Sequence, residues 1–172
     1  NALNNWLERD VDARMRRTRD RPLPAGRLEP WVALAIGLGL PCLALPALAW
    51  FTNGLTATLA ALALFSYVVV YTPMKRKSSL ALFVGAVPGA IPPLMGWTAV
   101  TGRLDLGGLA LFAVLFCWQL PHFLAVSIYL KDDYARGGLR VFALVHGERA
   151  AIAAVSATTV ILVPVTLWLW PL

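Results

Sequence analysis

Hydrophobic residues gather into five long stretches along the chain, and short polar segments separate them. Each stretch holds about 18 to 23 residues, and because a helix rises about 1.5 Å per residue, each is long enough to cross about 30 Å of hydrocarbon. The pattern predicts an all-α fold, a polytopic transmembrane helix bundle that forms one domain over residues 1–172. The predicted spans lie at about 31–51, 55–72, 80–101, 108–130 and 150–171.

The composition is that of a membrane protein, because 59% of the 172 residues are hydrophobic and only 14% are charged, far from the balance of a soluble domain. The chain begins with Asn1 rather than Met, so we expect a fragment, and its charged start cannot serve as a signal peptide. Cys42 and Cys117 lie in apolar runs and lack metal-ligand spacing. We therefore predict that both are free thiols within the membrane.

Basic residues are confined almost entirely to one set of polar segments. All but one of the 15 lysines and arginines lie in residues 1–29, 73–79 and 131–149, and the exception is Arg103. The positive-inside rule places these three segments in the cytoplasm. We therefore expect an integral membrane protein in which any active site formed by these segments faces the cytoplasm, and we expect the membrane to be a bacterial inner membrane. Topology also accounts for the net charge of +6, so the lipid bilayer is the expected partner and nucleic acid is not.

The polar segment before the first span carries carboxylates beside hydrocarbon. At 100° per residue, a helix places Asn5, Glu8 and Asp12 within about 60° of arc, and it places Asp10 on the opposite face. One amide and two carboxylates that converge in this way indicate a divalent-cation site rather than a solvated surface.

Two later spans contain unusual residues. The third span is interrupted by several glycines and prolines, which suit either a kinked packing helix or a helix bent around a substrate cavity. The fourth span contains Trp118 and His122 near its end, and Lys131-Asp132-Asp133-Tyr134 follows soon after. An intramembrane histidine is either a satisfied hydrogen-bonding group or part of a route to a site, and the charged residues that follow His122 favour the second interpretation.

Four motifs resemble those of a known family. The first, Asn4-Asn5-x-x-Glu8-Arg9-Asp10-x-Asp12, resembles the Asn-x-x-x-Asp-x-x-x-Asp region of the UbiA-type intramembrane prenyltransferases. The others are Tyr71-Thr72-x-x-Lys75-Arg76, Gly89-Ala90-x-Pro92-Pro93-Leu94-x-Gly96-Trp97, and Trp118-Gln119-x-Pro121-His122-Phe123 followed by Asp133-Tyr134. All four in this order are similar to the branch that farnesylates protoheme IX. The chain departs from the pattern where Glu8 replaces the usual Asp and where Leu139 to Ala143 replace a proline-containing stretch.

The resemblance implies a fold of about nine spans, of which this chain would hold about five. It also implies that the farnesyl group of farnesyl diphosphate is transferred to a vinyl group of protoheme IX, which gives heme O. Mg²⁺ is the expected cofactor, because this hard ion binds carboxylate and phosphate oxygens. Heme-pathway or terminal-oxidase assembly proteins are possible partners.

The residues expected to act fall into two groups. The expected catalytic residues are Asn5, Glu8, Asp12, Asp132 and Asp133, and all of these except Asn5 are expected to bind the metal. The expected substrate-binding residues are Arg9, Arg17, Arg21, Lys75, Arg76, Trp118, His122, Lys131 and Tyr134. Arginine suits bidentate contacts to phosphate, and lysine acts as a point charge.

Two alternatives remain. A related prenyltransferase with an aromatic or chlorophyll-like acceptor would use the same acidic motif. An ion-coupled transporter would also combine broken helices with charged residues. The carboxylates of this chain cluster at the cytoplasmic ends of the spans, which favours an enzyme that binds a diphosphate.

Overall fold

The computed structural model describes residues 2–168, and this part of the chain consists of helices and connecting turns without a strand. The helices are α1 (Ala2–Asp12), α2 (Pro30–Phe51), α3 (Gly54–Phe65), a π-helical segment (Ser66–Tyr71), α4 (Thr72–Met74), α5 (Ala81–Thr101), α6 (Leu106–Tyr129), α7 (Lys131–Gly137), α8 (Phe142–His146) and α9 (Glu148–Leu167). The predicted all-α class is confirmed.

Five helical segments of residues 2–168 are long and apolar enough to cross a membrane, and they correspond to the five predicted stretches. The second is a composite, because α3, the π-helical segment and α4 run on as one span over Gly54–Met74. The last begins at Glu148 and its helix ends at Leu167. The predicted end of that span, at residue 171, lies outside the described residues.

Helix α5 occupies the centre of the bundle. It packs against α3 and α6, while α6 also packs against α9 and α2 packs against α1 and α3. Ala86 and Ala90 of α5 are completely buried. A Cβ atom on Gly85 would lie 2.5 Å from the ring of Tyr71, and one on Gly89 would overlap the Gln119 side chain. These close approaches favour the packing interpretation of the glycines in this span.

The outer surface of the bundle is apolar. Large side chains such as Leu43, Trp50 and Phe51 are more than 70% exposed, which suits contact with lipid rather than water. Cys42 is exposed and Cys117 is half-buried, and both are free thiols as predicted.

The three basic segments meet at one end of the bundle. Lys75 Nζ lies 2.6 Å from Oε2 of Glu8, and the backbone N–H of Arg140 donates to the carbonyl of Lys75 at 3.0 Å. A different polar contact lies elsewhere on the bundle, where the Asn53 side chain donates to the carbonyl of Thr98 at 2.7 Å. The basic end, where Glu8 and Lys75 meet, contains the residues of the candidate site.

Candidate active site

An open cavity of about 430 Å³ lies beside α1 at the basic end. Its wall is formed by α1, the chain that follows α1, the π-helical segment and α7. The residues that line it are Asn4, Asn5, Glu8, Asp12, Met15, Arg17, Arg21, Pro22, Tyr67, Tyr71, Lys75, Tyr134 and Leu139. We call it the polar cavity. The helical period of α1 brings the predicted Asn5, Glu8 and Asp12 to this wall, while Asp10 is exposed and pairs with Arg9.

Glu8 is buried, and its two oxygens have different surroundings. Oε2 accepts a hydrogen bond from Asn4 Nδ2 at 2.7 Å and lies 2.6 Å from Lys75 Nζ. Oε1 is buried and has no hydrogen-bond partner among the described residues. A buried carboxylate oxygen without a donor is costly unless a ligand satisfies it. Glu8 thus presents one anchored oxygen and one that is available.

Asp12 is held by the chain that folds back after α1. Its Oδ2 accepts from Arg21 Nη1 at 2.9 Å, and the same Arg21 nitrogen donates to Asn5 Oδ1 at 3.3 Å. The Asp12 carbonyl accepts from the Thr18 hydroxyl at 2.9 Å, which secures the turn. Two predicted residues, Asp12 and Arg21, therefore form an ion pair in the wall of the cavity.

The π-helical segment places two aromatic rings on the cavity. A π-helix has more than four residues per turn, so Tyr67 and Tyr71 lie on one side, with ring centroids 5.4 Å apart. The Thr72 hydroxyl donates to the Tyr67 carbonyl at 2.8 Å and accepts from Asn4 Nδ2 at 3.2 Å. Lys75 Nζ lies 4.8 Å from the centroid of the Tyr71 ring. The segment thus joins the acidic face of α1 to an aromatic wall.

A smaller cavity of about 90 Å³ adjoins the polar one, and the two share Tyr71, Lys75, Tyr134 and Leu139. Its remaining lining is mostly apolar: Ser79, Ala81, Leu82, Phe123, Val126, Ser127, Arg140 and Val141. We call it the apolar cavity. Burial raises the pKa of the Tyr134 phenol, against the influence of the nearby Arg17 charge. Tyr134 therefore carries no charge at neutral pH, and its side chain lines both cavities.

The structure places the second acidic pair elsewhere. Asp132 and Asp133 line a separate open depression with Arg16, Arg17 and Arg136. Burial by itself would raise the pKa of Asp133, but hydrogen bonds from the backbone of Arg16 and Arg17 and from Arg136 hold that pKa below its ordinary value. The sequence predicted Asp132 and Asp133 as catalytic, metal-binding residues like Glu8 and Asp12, but they do not line the same cavity, and their binding of a metal stays a prediction. The turn that contains Arg16 and Arg17 instead provides the donors for Asp133.

Several predicted substrate-binding residues lie away from both cavities. Arg9 pairs with Asp10 at 3.6 Å, and Arg76 donates to the Leu7 carbonyl at 3.4 Å. Trp118 and His122 stack on each other on α6, with ring centroids 5.1 Å apart. These four side chains and Lys131 are not part of either cavity lining within residues 2–168, and their contact with substrate stays a prediction.

Asn4 and Tyr67 are two of the cavity residues that the sequence did not predict as site residues. Asn4 is buried and contacts Glu8 directly, whereas Asn5 contacts Arg21. Asn4, Glu8 and Asp12 are spaced four residues apart, which is the spacing that brings side chains together on a helix, so the signal was present. Tyr67 was also not predicted, although it lies one helical turn before Tyr71 and lines the same cavity.

The donor set suits a magnesium ion that completes its coordination with substrate. Among the described residues, no three His, Cys, Asp or Glu side chains lie close enough together to hold a metal ion by themselves. Mg²⁺ commonly uses one or two carboxylates together with phosphate oxygens and waters. The unpartnered Glu8 Oε1 and the neighbouring Asp12 fit that requirement.

The chain is similar to several curated proteins. The chain is 72% identical over all 172 residues to a protoheme IX farnesyltransferase from Anaeromyxobacter sp. (strain Fw109-5), and covers 58% of that protein. It is 52% identical over 167 residues, 97% of the chain, to a protoheme IX farnesyltransferase from Myxococcus xanthus (strain DK1622), and covers 57% of it. The chain thus spans little more than half the length of these curated relatives. No solved structure matches it.

A family model supplies the classification. The model described as the UbiA prenyltransferase family matches residues 1–172. Together with the five apolar helices of residues 2–168, this match makes the protein an integral membrane protein. The chain belongs to the UbiA prenyltransferase family.

Proposed function

We propose that this chain carries the diphosphate-binding part of an enzyme that transfers a farnesyl group from farnesyl diphosphate to a vinyl group of protoheme IX, giving heme O. The observation that carries the proposal is the pair of buried carboxylates, Glu8 and Asp12, each matched to a base on one cavity wall. The relatives named protoheme IX farnesyltransferase support the choice of acceptor.

Glu8 and Asp12 are the residues that would hold Mg²⁺. The bound ion would neutralise charge on the diphosphate leaving group and so assist its departure. Asn4 and Lys75 orient the Glu8 carboxylate through its Oε2 atom, which leaves Oε1 available. Arg21 orients Asp12 in the same way. These partners reduce the reorganisation needed when the substrate binds, which is the main source of electrostatic catalysis.

Arg17, Arg21 and Lys75 supply positive charge for the diphosphate. All three line the polar cavity, and arginine can make two parallel hydrogen bonds to one phosphate group. As the carbon–oxygen bond of farnesyl diphosphate breaks, its electron pair goes to the diphosphate oxygen, where these cations stabilise the developing charge. The polar cavity is therefore the proposed diphosphate pocket.

The carbon chemistry needs a surface that shields an allylic cation. The vinyl group of protoheme attacks this cation, a carbon–carbon bond forms, and water then adds to the new cation with loss of a proton. The faces of Tyr67 and Tyr71 stabilise positive charge through their π electrons. The apolar cavity beyond Tyr71 and Tyr134 excludes water from the farnesyl chain until the bond has formed.

We also propose that the active site faces the cytoplasm of a bacterial cell whose inner membrane holds the protein. The proposal rests on the basic segments that meet beside the polar cavity and on the positive-inside rule. Heme-pathway or terminal-oxidase assembly proteins would be partners on that side.

The test is an assay of the complete protein in detergent with farnesyl diphosphate, protoheme IX and Mg²⁺, in which heme O is measured. Glu8→Gln and Asp12→Asn should each lower the rate by about 10² to 10³, the usual cost of removing a major electrostatic contact. The matched control is Asp10→Asn, because Asp10 is exposed on the opposite face of α1, and its rate should stay close to that of the parent.

Two results would contradict the proposal. One is heme O formation at the parent rate when Glu8→Gln and Asp12→Asn are combined. The other is farnesylation of 4-hydroxybenzoate but not of protoheme IX, which would instead favour the related enzymes with an aromatic acceptor.

A further inference from the structure

The carboxylate of Asp133 on α7 accepts hydrogen bonds from the turn after α1. Asp133 Oδ1 accepts from the backbone N–H of Arg16 at 2.7 Å, and Oδ2 accepts from the backbone N–H of Arg17 at 3.2 Å. Arg136 Nη2 donates to Oδ1 as well, at 3.2 Å. These residues are more than 110 positions apart in sequence, apart from Arg136, which is on the helix of Asp133 itself. We call this contact the Asp133 clamp.

Apolar packing supports the same junction independently. Val11, Met15 and Leu139 form a buried cluster, against which Tyr134 packs. A Cβ atom on Gly137 would lie 3.0 Å from Met15 Cγ, so α7 approaches the turn as closely as a residue without a side chain allows. The Asp133 clamp is thus part of a packed interface between two segments that are distant in the sequence.

The two sides of this interface both reach the polar cavity. Met15 and Arg17 come from the turn, and Tyr134 and Leu139 come from the segment that begins with α7. Asp133 itself lies behind that wall, in the separate depression. Its carboxylate therefore holds the turn that carries Met15 and Arg17, although Asp133 is not itself part of the polar cavity lining.

We propose that Asp133 is a positioning residue that holds Arg17 and Tyr134 at the diphosphate pocket, and that it does not bind the metal. The inference rests on the proposed function. Oδ1 already accepts two hydrogen bonds and Oδ2 accepts one, and Asp133 lies in a depression that neither Glu8 nor Asp12 lines. Coordination of Mg²⁺ by Asp133 would therefore compete with its hydrogen bonds to the turn. The partly buried N–H groups of Arg16 and Arg17 would then lose a charged acceptor, which costs free energy.

The first test measures the clamp without measuring activity. Trypsin cleavage after Arg16 and Arg17 is followed by mass spectrometry in the complete protein in detergent. Asp133→Asn should be cleaved roughly tenfold faster at these two bonds, because cleavage follows local opening of the turn. Asp132→Asn is the matched control, since it removes the same charge from the adjacent, exposed position, and its cleavage should match that of the parent. Unchanged cleavage in Asp133→Asn and in Asp133→Ala would overturn the proposal.

The second test separates positioning from metal binding. Asp133→Asn should raise the KM for farnesyl diphosphate roughly tenfold while the half-saturating Mg²⁺ concentration stays the same. Glu8→Asp, which alters a proposed metal ligand, should shift that Mg²⁺ concentration. In an Arg17→Ala background, Asp133→Asn should raise the KM little further, because the residue it positions is gone.

The outcomes distinguish the possible failures. A higher Mg²⁺ requirement in Asp133→Asn, with trypsin protection intact, would make Asp133 a metal ligand and overturn the inference. A fall in kcat with unchanged KM would reduce Asp133 to a purely structural role, which also overturns it. If the complete protein transfers no farnesyl group to protoheme IX, the proposed function fails, whereas the trypsin result still decides whether the clamp exists.

Discussion

Lys75 Nζ lies 2.6 Å from Oε2 of Glu8, although the two residues are 67 positions apart in the chain. The contact joins α1 to the segment that follows α4, and both side chains are largely withdrawn from solvent, with exposed fractions of 19% and 9%. A carboxylate in such surroundings depends on its basic partner, since burying a charge is costly when no opposite charge is near.

Replacing Lys75 with methionine should therefore destabilise the protein by about 3 kcal/mol, the low end for a buried pair, because Lys75 is partly exposed. The measurement is thermal unfolding in detergent, together with heme O formation, which should fall because Glu8 loses its orientation. Lys77→Met is the matched control, since Lys77 is exposed in the same loop. The double variant Glu8→Gln with Lys75→Met should recover part of the stability, and equal unfolding midpoints for Lys75→Met and Lys77→Met would contradict the prediction.

Asn4→Ala should lower activity more than Asn5→Ala. Asn4 donates at 2.7 Å to a buried carboxylate, whereas Asn5 accepts from Arg21 at 3.3 Å. A hydrogen bond to a charged group is worth about 1.5–3 kcal/mol, so we expect the rate of heme O formation to fall by roughly 10- to 100-fold in Asn4→Ala. Thr72→Val removes only the second partner of Asn4 and should have a smaller effect. A larger loss in Asn5→Ala than in Asn4→Ala would contradict this prediction and favour Asn5 as the catalytic amide, as the sequence predicted.

Gly89→Ala should destabilise the bundle centre. A Cβ atom there would overlap Oε1 of Gln119, a buried side chain that also donates to the carbonyls of Ala86 and Leu115. Overpacking of this kind costs about 1–3 kcal/mol, and it should appear as a lower unfolding temperature in detergent. Gly96→Ala on the same helix is the control, because no atom lies within 4 Å of its added Cβ. The prediction fails if the two alanine variants unfold at the same temperature.

The stability contributed by Asp133 should vary with pH only in acid. Its pKa is lower in the folded protein than the ordinary value of about 3.9, so the folded state binds fewer protons than the unfolded state below that value. The contribution is therefore fully present above about pH 4 and is lost as the pH falls through the lowered pKa. Unfolding temperatures measured between pH 3 and pH 7 should fall less steeply below pH 4 in Asp133→Asn than in the parent. Parallel curves for the two proteins would argue against the assignment of this proton to Asp133.

The spans were predictable because lipid permits few solutions. A backbone in hydrocarbon must satisfy its own hydrogen bonds, so an apolar stretch of sufficient length becomes a helix whatever its neighbours do. The helical period likewise brought Glu8 and Asp12 to one wall of a cavity. Arg17, Arg21 and Lys75, which the sequence predicted to bind substrate, line the same cavity, and their contact with substrate stays a prediction.

The π-helical segment and the Asp133 clamp were not predictable in this way. The sequence from Ser66 to Tyr71 is typical of an ordinary apolar helix, whereas in the structure both the backbone N–H and the hydroxyl of Thr72 donate to the Tyr67 carbonyl, five residues back. Asp133 follows a span just as a metal-binding carboxylate would. Its partners include the backbone N–H groups of Arg16 and Arg17. Because almost every residue has a backbone N–H group, no sequence motif could identify these two as the donors.

Amino-acid order by itself thus determined the helices, their apolar character and the acidic face of α1, since each follows from interactions within a few residues or with lipid. Tertiary structure decided that Asn4 rather than Asn5 contacts Glu8, and that Asp133 accepts hydrogen bonds from the backbone of the turn after α1. These choices depend on the rotation of α1 against Thr72 and on the docking of α7, and both are set by packing between segments far apart in the chain.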